Sequence, residues 1–322
     1  MLLVNLGSPT EPSPAAVRRF LRPFLSDQRV VELPRWLWRP LLSVVVLPLR
    51  GKRVAHAYGS IWQEGESPLR LYLKRLTAAC REQWTAGPNP EIDRPGRLAF
   101  AVTYGEPGIA AALDSLQATG ARTISVLPLY PQYSATTTAA VFDQVAAWIR
   151  SRRDLPSLHL VRDYHDHPAY TAALAQQVKS HWAQHGRPAA LVFSYHGIPE
   201  ANVKRGDPYA EQCRRTTELV CAQLDTEGIE VLQVFQSRFG AAKWLQPYAD
   251  EVLQALPARG VRRVQVLSPS FSLDCLETKE EINIGYRQDF LQAGGEAFEY
   301  IPALNDTAAH VEVLRQVVRD RG

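Results

Sequence analysis

Short apolar runs alternate along this chain with longer stretches in which apolar positions recur every three or four residues. Residues 2–6, 98–103, 123–127, 158–160, 191–194, 231–235 and 264–267 are rich in Val, Ile and Leu with few polar interruptions, the pattern of strands buried on both faces. Between them, residues 108–117, 138–150, 168–185, 209–224 and 247–256 carry helical spacing. Strand and helix in alternation predict an α/β protein with parallel sheets. Ligands in such sheets bind beyond the carboxyl ends of the strands, so the residues that follow each run are the ones to examine.

Two of those endings carry chemistry. The run 191–194 leads into Tyr195-His196-Gly197-Ile198-Pro199, and the run 264–267 leads through Pro269 and Phe271 into Asp274-Cys275-Leu276-Glu277-Thr278-Lys279-Glu280-Glu281. Taken alone, a histidine before Gly and Pro reads as a turn residue, and a Glu-rich segment reads as a solvated first helical turn whose acids favour the macrodipole. Together they set an imidazole against a ladder of carboxylates. A weak duplication is also visible: residues 2–9 resemble 191–199, and 126–131 resemble 266–271, each a strand entering a Gly/Pro turn. Two similar halves are expected, 1–165 and 166–322, with the His and the acidic segment in the second.

Composition narrows the class. At 322 residues the chain is long enough for about two domains of roughly 150 residues each, and 46% hydrophobic residues can fill two cores. A net charge of +3 without a run of like charges gives no footprint for nucleic acid. Cys80, Cys213, Cys221 and Cys275 show no metal-knuckle spacing and no disulfide framework, which fits a reducing compartment. Residues 1–7 are apolar but lack a basic flank and a small-residue cleavage site, so they read as a first strand in a cytoplasmic protein. Residues 33–49 come closest to a membrane span, but Pro34, Arg35, Arg39, Pro40 and Pro48 interrupt them.

Several segments in order carry a family resemblance: Asn5-Leu6-Gly7-Ser8-Pro9; Ile61-Trp62 with Gly65-Glu66-Ser67-Pro68-Leu69; Tyr130-Pro131-Gln132-Tyr133-Ser134 with Thr136-Thr137; Ser194 to Pro199; Gln236-Ser237-Arg238 with Gly240 and Trp244-Leu245; and Asp274 with Glu277-Thr278 and Glu281. The chain resembles the ferrochelatases, which insert ferrous iron into a porphyrin at the end of haem synthesis. The resemblance implies two flavodoxin-like halves with a porphyrin cleft between them, protoporphyrin IX and Fe2+ as substrates, and protohaem as product. It also implies His196 and Glu277 as the central catalytic pair. Metal ligands would come from His196, Glu277, Glu281 and Asp274, with Glu281 in the outer path. Tyr104, Tyr130, Trp244 and Phe271 would wall the macrocycle, and Arg50, Arg53, Tyr58 and Ser67 would bind its carboxylates. Each aromatic has core packing as its plain alternative, and each arginine a solvated surface.

The chemistry agrees with these residue types. A free-base porphyrin holds two pyrrole protons that must leave before a dication can enter. An imidazole accepts protons near neutral pH, and crowded carboxylates hold a cation by oxygen or relay protons. Glu277 and Glu281, four apart, share a helix face, with Asp274 one turn earlier.

The chain departs from relatives at three places. Thr103 precedes Tyr104 where an arginine is common, Cys275 stands where a histidine is often found, and no cysteine follows Cys275. No iron-sulfur cluster and no tightly bound cofactor are therefore expected. Residues 33–50 form an apolar lip in the resemblance, with Trp36 and Trp38 bracketed by Arg35 and Arg39. That composition fits a peripheral membrane contact, and an ordinary buried helix start is its alternative. The oligomeric expectation is a monomer or weak dimer. A chelatase for coproporphyrin III or sirohydrochlorin is the second reading, and a non-catalytic haem or sugar carrier of two α/β halves the third.

Overall fold

All seven expected strands form, and an eighth joins them. In the computed structural model, which describes residues 1–85, 97–240 and 242–322, one sheet holds β1 (Leu2–Asn5), β2 (Ala99–Val102), β3 (Thr123–Pro128) and β4 (Ser157–Leu160). The other holds β5 (Ala190–His196), β6 (Glu230–Gln236), β7 (Arg263–Leu267) and β8 (Ala297–Tyr300). The sequence pattern overlooks β8 because it is a four-residue edge strand whose burial alternates, leaving Phe298 and Tyr300 as its buried positions.

Both sheets are parallel throughout and share one order, β2-β1-β3-β4 and β6-β5-β7-β8. The weak sequence duplication is therefore a duplication of topology. In this order the connections leave the first and third strands on opposite sides, which opens a crevice at their carboxyl ends. The β1/β3 and β5/β7 pairs are those switch points. The motif segments Asn5 to Pro9 and Tyr130 to Ser134 lie at the ends of the first pair, and His196, the last residue of β5, and Phe271, after β7, at the ends of the second.

Each sheet has its own core. Leu2, Val4, Leu113, Val126, Val141 and Trp148 pack in the first unit. Val192, Val234, Val266, Ile282, Phe290 and Phe298 pack in the second. Each large apolar side chain fully buried contributes about 1.5–3 kcal/mol before entropy is counted. β5 is buried along six of its seven positions and opens only at His196. A strand of this kind can deliver a polar side chain only at its end.

The two compact units are Met1–Asp163 with Asp306–Gly322, and Tyr164–Asn305. The last helix, Ala308–Arg321, capped by Thr307, thus belongs with the first unit, where it packs on the helix Pro68–Thr85. A single cut near residue 165 assigns that helix to the second half, since nothing in a linear pattern marks a return. Local signals fix other helix ends. Ser13 accepts a hydrogen bond from the Ala16 amide and Pro14 opens the helix Pro14–Ser26, the usual pairing of cap and first-turn proline. Gly7, at φ 103°, has no alternative residue: a Cβ there would stand 2.1 Å from the Tyr104 carbonyl oxygen.

No helix among the described residues is long and apolar enough to cross a membrane.

Candidate functional site in the second unit

β5 outruns its neighbour β7, whose pairing stops at Phe193↔Leu267. Beyond that point the chain after β7 turns back with side chains. Ser268 donates to the Ser194 carbonyl at 2.8 Å, and the His196 amide donates to Ser270 Oγ at 3.1 Å. The loop after β7 thereby holds the end of β5. The half-buried His196 ring lies between two aromatics, its centroid 6.2 Å from that of Phe271 and 6.4 Å from that of Trp244. His196 Nδ1 is 2.6 Å from the Gly197 carbonyl oxygen. A carbonyl can only accept, so Nδ1 carries a proton, and in the neutral ring Nε2 is the nitrogen with the lone pair. That is the tautomer a base or a metal ligand needs.

Trp244 is positioned by the same turn. Its Nε1 donates to the Phe239 carbonyl at 2.9 Å, and its ring packs on Phe239 at 4.9 Å. A Cβ at Gly197 would lie 3.2 Å from the Trp244 ring and 3.0 Å from the Gln236 carbonyl oxygen, so glycine lets the indole close over the turn. Only 5% of Trp244 is exposed. It backs His196 more than it offers a free face, whereas Phe271 is half-buried.

The carboxylates stand on a helix of unexpected type. Glu277–Tyr286 is π-helical over ten residues, a geometry that is rare and concentrated at functional sites. Four residues is close to one turn of either helix, so Glu277 and Glu281 still share a face. Bonding in a π-helix steps by five residues, and Tyr286, five after Glu281, donates from its hydroxyl to Glu281 Oε1 at 2.8 Å. Glu281 also accepts from the Ser237 amide at 2.9 Å, from Gln236 Nε2 at 3.1 Å and from Ser237 Oγ. Four donors fill the roughly four lone-pair positions of a carboxylate. Burial first, and the Glu281 charge second, push the Tyr286 phenol well above its ordinary range and keep it a donor. Ser237 sits at φ 65°, a left-handed conformation that costs a non-glycine residue about 1–3 kcal/mol. Its two bonds to Glu281 offset that strain.

Gln236 joins the parts. It is 1% exposed, pairs in register with His196, accepts from Ser194 Oγ at 2.7 Å and donates to the Glu277 carbonyl at 3.3 Å as well as to Glu281. The imidazole-bearing strand and the acidic helix are thus tied through one amide. Gln236 and Ser237 carry no role in the sequence reading, although both lie in a motif quoted there; a polar pair closing an apolar strand was the available signal. Cys275 is the other addition. Burial first, then the Glu277 charge, push its thiol well above the ordinary range, so it stays protonated. A neutral thiol thus stands where the resemblance leads one to expect a histidine ligand.

Asp274 departs from its expected place among the metal ligands. It is fully buried and accepts from Thr278 Oγ1 at 2.9 Å, Tyr300 OH at 2.7 Å and Asn305 Nδ2 at 2.9 Å, with Lys279 Nζ at 3.3 Å. It precedes the helix and anchors its start to β8; it does not share the face of Glu277. Asp274→Ala should therefore cost on the order of 3–5 kcal/mol, the effect of breaking a buried charge pair, and lower Tm by roughly 10 °C. A Tm within a degree or two of the parent would refute this anchoring role.

The remaining candidates lie in the first unit. Ser67 is fully buried, hydrogen-bonded to Ser8 Oγ at 2.6 Å and placed at the start of the helix Pro68–Thr85. Tyr58 is buried edge-on to Trp62 at 6.1 Å, and Tyr104 is buried against Phe24 at 5.1 Å with its hydroxyl donating to Asp27 at 2.7 Å. These three are packed positions with little surface to give a ligand. Tyr130 is half-buried against the first core. Arg50 and Arg53 lie three apart on the helix Leu47–Ile61. Burial, and then the Arg53 charge, hold the Arg50 guanidinium below its usual range, a cationic pair suited to an anion.

Comparison with known proteins places the chain in a family. A family model described as Ferrochelatase matches residues 1–322. The chain is 50% identical over 318 residues to a ferrochelatase of Pectobacterium atrosepticum, covering 99% of this chain and 97% of that one. It is 48% identical over 314 residues to a ferrochelatase of Methylococcus capsulatus, covering 98% and 94%, and 47% identical over 319 residues to one of Vibrio cholerae, covering 99% and 97%. Among solved structures, SirB from Bacillus subtilis with Fe3+ superposes with a TM-score of 0.55 at 16% identity, over 77% of this chain and 89% of that one. CbiX, the terminal enzyme of siroheme biosynthesis in denitrifying bacteria, superposes with a TM-score of 0.52 at 12% identity, over 99% and 97%. Those two likenesses speak for the fold alone. The family match over the whole chain, together with relatives about half identical over nearly all of it, identifies the chain as a member of the ferrochelatase family.

Proposed function

We propose that this chain inserts Fe2+ into protoporphyrin IX to give protohaem. The observation that carries the reading is its 50% identity, across almost the whole chain, to a relative named ferrochelatase. The geometry around His196 supports it. Insertion exchanges two pyrrole protons for one dication and changes no oxidation state, so the reaction calls for proton acceptors and no redox cofactor. His196 Nε2 takes a pyrrole proton, and the Nδ1–H bond to the Gly197 carbonyl holds the ring and gains strength in the imidazolium. Glu277, with the Cys275 thiol at its carboxylate, is the acid open to a metal ion or a second proton. Glu281 is held by four donors, so a dication reaches it only by displacing one of them; we assign it to the outer path. Phe271, and the indole of Trp244 behind His196, limit how the ring is presented to the base.

The alternative substrate is the more acidic coproporphyrin III, which carries four carboxylates where protoporphyrin IX carries two. Anaerobic iron insertion, followed for both porphyrins by the loss of free-base fluorescence, tests the reading. Faster turnover of coproporphyrin III would replace the substrate, and no insertion into either would remove the activity.

The lip supports a peripheral membrane contact. Trp36 is 79% exposed, Val44 75% and Leu49 72%, and contiguous exposed apolar residues mark interaction surfaces. Its two tryptophans behave differently. Trp38 Nε1 donates to the Leu25 carbonyl at 2.6 Å, fastening the segment to the helix Pro14–Ser26, so the half-buried Trp38 anchors the segment and the exposed Trp36 is the tryptophan we assign to the interface. Trp36→Ser is expected to weaken liposome binding roughly tenfold, equivalent to about 1.4 kcal/mol, and to raise KM for membrane-borne protoporphyrin. With detergent-dispersed porphyrin kcat should be unchanged. Unaltered liposome binding in Trp36→Ser would rule out the contact.

A further inference from the structure

A second group of metal-ligating side chains lies in the second unit, away from His196. The helix Pro168–His185 carries His181 and His185 four apart, on one face. β8 presents Glu299 beneath them. His181 Nε2 is 3.1 Å from Glu299 Oε2, and His185 Nδ1 is 3.5 Å from Glu299 Oε1. The two imidazoles stack at 4.3 Å, and one ligand atom from each of the three residues falls within 4.8 Å of the others. Two donors on one tetrahedral ion, each about 2.0–2.2 Å from it, stand roughly 3.3–3.6 Å apart. The spacings here are already close to that.

The surroundings are those of a built site. Gln265, buried on β7 opposite Glu299, donates to Glu299 Oε2 at 2.8 Å and to the Gly186 carbonyl at 3.0 Å. It orients the carboxylate and fixes the end of the helix that bears both histidines, the part played by an outer-shell partner at a metal centre. The group borders a groove of about 670 Å³ that also admits Ser180, Gln177 and Tyr300, so a fourth position is open to water. Side-chain exposures of 12% for His181 and 45% for His185 leave an entry path on one side.

We propose that His181, His185 and Glu299 form a site for a first-row transition dication, separate from the iron-insertion site. Two neutral imidazoles and one carboxylate are the donor set of three-ligand zinc centres, and imidazole equally suits Fe2+, Co2+ and Ni2+. The strand register sets the separation. Glu299 pairs with Gln265 and Gln265 with Leu191, so the site lies roughly 16 Å from His196 along the strands and about 10 Å across them. The ion fastens β8 to the helix Pro168–His185 and takes no part in the proton chemistry at His196.

The test uses Co2+, whose visible absorption reports tetrahedral imidazole ligation, with the full-length chain carrying His196→Ala and Glu277→Gln so that the insertion site is silenced. One equivalent is expected to bind with intense visible bands. Adding His181→Gln and His185→Gln should weaken binding at least a hundredfold and abolish the bands. In the otherwise unaltered chain the same two substitutions should leave iron insertion unchanged, while Zn2+ should raise the Tm of the parent and not that of the variant. Glu299→Gln serves in their place if the double variant does not fold. Co2+ affinity and spectrum unchanged by these substitutions would overturn the site.

Discussion

His196→Ala is expected to stop iron insertion while leaving porphyrin binding nearly intact. The loss should be a hundredfold to ten-thousandfold in kcat, the range for removing a positioned proton acceptor, because Nε2 is the lone pair that the Nδ1–Gly197 bond leaves available. Porphyrin affinity, read from quenching of its fluorescence, should change by less than about threefold, since the ring is gripped by apolar contact and by its carboxylates. The alanine leaves a gap between Trp244 and Phe271 of imidazole size, so added imidazole should restore part of the rate and should act more strongly as pH rises through its own pKa. A variant with near-normal turnover would sink the assignment of His196. Rate loss with matching loss of porphyrin affinity would make it a binding residue.

Glu277→Gln should lower kcat by a similar hundredfold to ten-thousandfold with little effect on Tm. The amide keeps the shape, but it neither binds a dication well nor takes a proton. Glu280→Gln, on the next residues of the same π-helical segment, should change kcat by less than about threefold. Equal behaviour of the two variants would show that the helix face does not matter. The contrast with Asp274→Ala is informative, because that substitution should lower Tm first and activity only through lost fold. These variants would separate the four acids of residues 274–281 into a reacting group at Glu277, an anchor at Asp274 and a bystander at Glu280, beside Glu281 held by its four donors.

The α/β class, seven of eight strands and the placing of His196 at a strand end were legible in the sequence, since a buried parallel strand writes itself as an uninterrupted apolar run. β8 was not, because an edge strand buried on alternate residues leaves only Phe298 and Tyr300 as signal. The aromatic wall was half legible. Residue type marked Trp244 and Phe271, but type cannot say that Trp244 and Tyr104 are spent on packing, which depends on neighbours such as Phe239 and Phe24 brought from elsewhere in the chain.

Residue identity by itself determined the chemistry on offer, an imidazole after one strand and carboxylates after another, because these groups bring their acid-base and ligand properties wherever they are placed. What each group is free to do was decided by tertiary structure. Asp274 loses its lone pairs to Tyr300 and Asn305, residues 26 and 31 positions away, with Thr278 closing the set. Glu281 is filled from Gln236 and Ser237, 45 and 44 positions away, and His181 meets Glu299 across 118. Hydrogen-bond capacity is local to a side chain, but its consumption is set by partners that only the folded chain brings within hydrogen-bonding distance, and a linear pattern holds no record of them.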